Sequence, residues 1–95
     1  MMHYVLAKLK EGECPHEIAP KARELLSKCI GAIEGFEAVE VYPNCYPREQ
    51  NYDLMLEMRM KDAETLERYL PHRLHEEFVQ YIAPKTEAKV TFDRE

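Results

Sequence analysis

Proton transfer near neutral pH needs a histidine or carboxyl group held beside a hydrogen-bond donor. Tyr69, His72 and His75 cluster in one short stretch, and His3 stands near the other end of the chain. On a helix opened by Pro71, the residues Leu74, Phe78, Tyr81 and Ile82 form an apolar stripe, and His75 borders it. A histidine on such a border loses solvation and stays neutral near pH 7, the state a general base requires. The competing expectation is a half-buried ring tied to a backbone carbonyl. His72 falls about 160° around the helix from Leu74 and is expected to cap or to face solvent. Tyr69 lies just before the break at Leu70-Pro71. Its hydroxyl suits donation to a substrate oxygen, although a tyrosine more often packs its ring and bonds its hydroxyl to backbone. His3 shares a strand face with Val5, Ala7 and Leu9. If that face meets the helices, His3 and His75 converge; if it faces away, they do not. Alternation alone does not choose between these, and strand-end histidines are usually solvated.

Other chemistry has less support. Cys14, Cys29 and Cys45 are an odd, widely spaced set, which fits reduced thiols better than a disulfide scaffold. There is no C-x-x-C pair. Cys14-Pro15-His16 offers two metal ligands, but nothing adjacent completes a tetrahedron, so neither a metal nor another cofactor is expected. Met55, Met58 and Met60 read as adaptable packing rather than a cofactor box. The acidic Glu11, Glu13 and Glu17 read as solvated surface around a helix start.

The chain has 95 residues, enough for one domain spanning residues 1–95. Apolar residues make up 45% and charged residues 33%, values too apolar for disorder. Thirteen Lys and Arg against eighteen Asp and Glu give a net charge of -5, which argues against nucleic acid or an anionic membrane as partner. No apolar run reaches the roughly 20 residues of a membrane span. The opening Met1-Met2-His3-Tyr4 lacks a charged-then-apolar secretory pattern, so the expected location is the cytoplasm.

Periodicity supplies the elements. His3–Lys10 alternates with a period of two and predicts a strand. Ile18, Ala22, Leu25, Leu26, Cys29, Ile30 and Ile33 trace one helical stripe, expected to be regular from about Pro20 and to end at Gly35. Ala38–Tyr42 predicts a short strand and Tyr52–Met60 a longer one, with a polar, proline-containing connection between them. Asp62 sits where an N-cap belongs, before a helix ending near Leu70. Pro71 can open a second helix to about Ile82, Pro84 closes it, and Ala88–Asp93 forms a last strand.

The order β-α-β-β-α-(α)-β predicts an α+β, ferredoxin-like split βαβ fold: a four-stranded antiparallel sheet with helices on one face. Both sheet faces carry apolar side chains, since Tyr4 and Leu6 oppose Val5 and Leu9, and Met55 opposes Leu54 and Leu56. An uncovered face of that kind is rare in a monomer, so a homodimer through the helix-free face, sheet against sheet, is expected.

HYVLAKLK, YDLMLEMRM, YLPHRLHEEFVQYI and KVTFD, in that order, resemble the stress-responsive α/β-barrel domain (Dabb) family over nearly the whole chain. Arg73 stands where that family's usual run has a proline after the first paired histidine; here Pro71 precedes it. The resemblance implies a ferredoxin-like subunit in a dimeric α/β barrel, with most members lacking an assigned reaction. One branch, the plant polyketide cyclases, is similar in its first-strand His, the Tyr before the paired His, and the second His, which correspond to His3, Tyr69 and His75. That likeness implies a cofactor-free aldol-type cyclisation or isomerisation of a small carbonyl ligand. His75 would then be the base, with Tyr69 and His3 bonding the oxygen. A non-catalytic module, or a monooxygenase with or without haem on a similar barrel, are the rival implications.

Overall fold

A computed structural model describes residues 1–95. The elements run β1 (Met2–Leu9), α1 (Pro15–Ser27), β2 (Phe36–Pro43), β3 (Leu54–Met60), α2 (Ala63–Tyr69), α3 (Arg73–Ile82), a 3₁₀ turn (Ala83–Lys85) and β4 (Thr86–Arg94). The four strands form one antiparallel sheet in the order β2-β3-β1-β4. This is the ferredoxin-like arrangement expected from the element order.

Strand alternation sorts the sheet into two faces. On the helix side, His3, Val5 and Ala7 of β1 stand opposite Met58, Leu56 and Leu54 of β3, and opposite Asp93, Thr91 and Lys89 of β4. Val39 and Val41 of β2 extend the same face against Met58 and Leu56. The buried α1 residues Ile18, Ala19, Ala22, Leu25 and Leu26 complete the core on the β2 side, with Cys29 and Ile33 behind them. The other face carries Leu6, Tyr42, Val90 and Phe92, exposed at 38%, 46%, 49% and 65% in the single chain. Met58 and Met60 are core residues and Met55 lies on the outer face, so the methionines serve both sides.

Two local features differ from expectation. The first helix ends at Ser27 and not at Gly35. The apolar stripe continues through Cys29 and Ile33, but as turns, with Gly31 at φ 84° and Gly35 at φ 90° and Ile30 left 46% exposed. A stripe reads burial, and consecutive turns can bury the same positions as a helix. α1 also starts earlier than expected: Pro15 occupies its first turn and Pro20 lies inside it. Pro20 removes only the bond to the carbonyl of His16, an exposed residue whose carbonyl water can satisfy.

The approach to α2 depends on one glycine. Asp62 caps α2 by accepting from the Thr65 N–H at 2.9 Å and the Thr65 hydroxyl at 2.8 Å. These two bonds hold the Asp62 carboxyl below its ordinary pKa. Thr65 is fully buried, and a Cβ on Gly35 would sit 2.1 Å from its Oγ1. Gly35→Ala is therefore expected to cost about 2–4 kcal/mol, combining left-handed backbone strain with overpacking. Gly31 has the same backbone hand but open space around it, so Gly31→Ala should cost only about 1 kcal/mol. Thermal melts of the two variants check the difference; equal losses would mean that the Thr65 contact is immaterial.

Candidate functional site

α1 lies on β2 and packs beside α3, α2 reaches β3, and the space between α2–α3 and strands β1, β3 and β4 is not filled. A cavity of about 480 Å³ remains there, lined by sheet residues His3, Val5, Leu56 and Met58 and by Tyr69, His75 and Phe78 from the helices. Its outer lip is β4, an edge strand, which contributes Glu87, Lys89, Thr91 and Asp93.

Each polar side chain on the inner wall is aimed by identifiable contacts. α2 stops at Tyr69 although Leu70 keeps helical backbone angles and its N–H still bonds the Leu66 carbonyl at 3.0 Å; the ladder ends because Pro71 has no N–H to carry it on. His72 then caps α3, its Nδ1 accepting from the Leu74 N–H at 3.1 Å. Capping is one of the two placements that its position on the helix anticipated. The short break leaves the Leu70 carbonyl available, and His75 Nδ1–H donates to it at 2.7 Å. A carbonyl can only accept, so this bond fixes the tautomer and leaves Nε2 with the lone pair. Burial holds the His75 pKa below the ordinary histidine value. Lys89 and His3 push it the same way, and the Leu70 carbonyl opposes them.

Tyr69 is 2% exposed, with its ring packed 5.5 Å from that of Phe36, 4.5 Å from that of His75 and 6.4 Å from that of His3. The expected backbone bond of its hydroxyl is not formed: Oη has no hydrogen-bond partner in the chain. No fully enclosed side-chain oxygen or nitrogen lacks a partner, so this hydroxyl opens onto the cavity. Burial, with a smaller effect from Cys29, raises its pKa far above the ordinary phenol value and keeps it a donor. Cys29 is itself pushed up to about 11 by burial, which makes its thiol inert as a nucleophile.

His3 differs from the usual strand-end histidine. It is 6% exposed, faces the helices, and its Nδ1 bonds the carboxylate of Asp93 across the β1–β4 ladder. Nε2 is thereby left as the nitrogen without a protein partner. The face that alternation could not choose is thus the one that brings His3, Tyr69 and His75 to one cavity. Asp93, Lys89, Thr91 and Glu87 are polar cavity residues that sequence reading passed over. Their signal was present in the two-residue spacing of Lys89, Thr91 and Asp93, but that pattern on an edge strand reads as ordinary solvated polarity.

The stress responsive A/B barrel domain model matches residues 1–95. The chain belongs to that family. Among solved structures, the Dabb fold is shared with a dimeric protein of unknown function from Bacteroides fragilis at 21% identity and a TM-score of 0.83, covering 99% of this chain and 93% of that one. A Dabb family protein from Mesorhizobium loti is 24% identical with a TM-score of 0.75, over 99% of this chain and 93% of that one. A hydroxynitrile lyase from Passiflora edulis is 13% identical with a TM-score of 0.74, over 96% and 87%. No curated protein matches the chain. No helix of this Dabb domain is long and apolar enough to cross a membrane.

Proposed function

We propose that this Dabb domain is a homodimer whose cavity performs cofactor-free acid–base chemistry on a small carbonyl compound. One observation carries the reading: His75 is locked by the Leu70 carbonyl into the tautomer whose basic Nε2 is free, beside a tyrosine hydroxyl with no partner of its own. Nε2 takes a proton from the carbon next to the substrate carbonyl, and the C–H electron pair becomes the enolate. The resulting imidazolium keeps its Nδ1–H bond to Leu70. The enolate oxygen accepts from Tyr69 Oη–H, and His3, anchored on Asp93 through Nδ1, is the second group at that oxygen. Aldol closure or isomerisation then uses the enolate carbon, and the imidazolium returns its proton. That a hydroxynitrile lyase shares this fold supports small-molecule acid–base chemistry as something the fold can host; at 13% identity it assigns no residue.

Dimerisation is supported by the exposed Leu6, Tyr42, Val90 and Phe92 and by the description of structural neighbours as dimeric. A cytoplasmic location fits the reduced-thiol composition.

The test is exchange of the C2 hydrogen of ethyl 2-methyl-3-oxobutanoate for solvent deuterium, followed by NMR. The protein should accelerate exchange beyond an equal concentration of free imidazole. Because burial depresses the His75 pKa, the base stays neutral further into acid than ordinary histidine. Activity should therefore be at its plateau at pH 7 and fall only once pH drops below the ordinary histidine range. Exchange no faster than with imidazole, or an acid limb displaced above that range, would refute the proposal.

A further inference from the structure

We propose that Lys89 makes this cavity selective for carboxylate-bearing acyl compounds, pairing with the carboxylate at the β4 lip while the acyl chain lies along the apolar wall. This names the substrate class of the acid–base site above and rests on that reading.

Lys89 is the only lysine or arginine lining the cavity. Its register opposite Ala7 turns the side chain to the helix side of the sheet, toward the cavity and not the outer face. The chain supplies it with no anion: the ion pairs are made by His3, Lys21, Arg23 and Lys28. Of the two acids on the same lip, Asp93 is engaged by His3 Nδ1. Glu87 falls at the register break beside Leu9, at the end of the strand next to the 3₁₀ turn. A carboxylate is thus favoured on the opposite side of Lys89, where Thr91 faces the same cavity with a hydroxyl that bonds nothing in the chain. Lysine ammonium and threonine hydroxyl together satisfy one carboxylate. Behind this polar lip stand Val5, Leu56, Met58, Leu66 and Phe78, and the volume of about 480 Å³ accepts a medium-length chain.

The competing account of an inward lysine on an edge strand is protection against strand pairing between molecules, which requires no ligand. Octanoate and octanamide separate the two, being nearly equal in shape and different in charge. Titrated into the dimer at low salt and followed by NMR at Phe78 and Val79, octanoate should bind about fivefold more tightly than octanamide. Lys89→Met should abolish the preference by weakening octanoate alone, and Lys89→Arg should keep it. Equal binding by the parent protein, a preference that survives Lys89→Met, or no response at the cavity to either compound would overturn the proposal. Octanoate preference lost in Lys89→Met, in a protein that does not catalyse exchange, would establish the anion site and remove the acid–base reading. Catalysis of the neutral ester without carboxylate preference would do the opposite.

Discussion

His75→Gln should slow deuterium exchange of the neutral 3-oxo ester by about 10²–10⁴-fold, the contribution of one positioned general base. Glutamine keeps a donor able to reach the Leu70 carbonyl, so α3 and its cap should survive and the melting temperature should change little. What it lacks is a basic nitrogen where Nε2 stood. Tyr69→Phe should lose about 10²-fold in the same assay, because the hydroxyl donor to the enolate oxygen goes while the base remains. The ratio between the two variants is informative. A base removed entirely should cost at least as much as one donor removed. If His75→Gln exchanges the ester as fast as the parent with its fold intact, the ring is a structural bolt between α2 and α3, and the proposed chemistry fails.

Placing a charge at the centre of the outer sheet face should split the dimer. Leu6 is flanked there by Met55 on β3 and Val90 on β4, with Tyr42 beyond Met55. In a two-fold interface each substitution is present twice, so Leu6→Asp introduces two carboxylates with no partner into an apolar contact. At about 1–3 kcal/mol of uncompensated desolvation each, dimer affinity should fall by about 30-fold to 10⁴-fold. Sedimentation at micromolar concentration should give twice the 11.2 kDa chain mass for the parent and 11.2 kDa for the variant, with unchanged helical circular dichroism. A parent protein sedimenting at 11.2 kDa would show that this face is tolerated by water. Since the helix-side core is untouched by Leu6, loss of fold and loss of dimer are separately visible.

The elements themselves were legible because each rests on a short-range cause. Asp62 caps where its side chain can reach Thr65, Pro71 ends α2, and alternation in Leu54–Met60 makes β3. The end of α1 was not legible, because an apolar stripe constrains burial and leaves open whether Cys29 and Ile33 are reached by helix or by glycine-permitted turns. The candidate site was partly legible. His75 at the margin of an apolar stripe, and His72 as a cap, follow from angles on a single helix. The Asp93 partner of His3 does not, since it lies ninety residues away and the bond exists only once β4 pairs with β1.

The sequence by itself determined the strands, the helices, their antiparallel order and the apolar character of both sheet faces, all of which follow from neighbours within a few residues. Only the tertiary structure decided which face of β1 looks toward the helices. That choice is made by packing α1, α2 and α3 against one side of the whole sheet, and it seats His3, Tyr69, His75 and Lys89 around a single cavity. Strand periodicity is symmetric between the two faces; the helices break the symmetry.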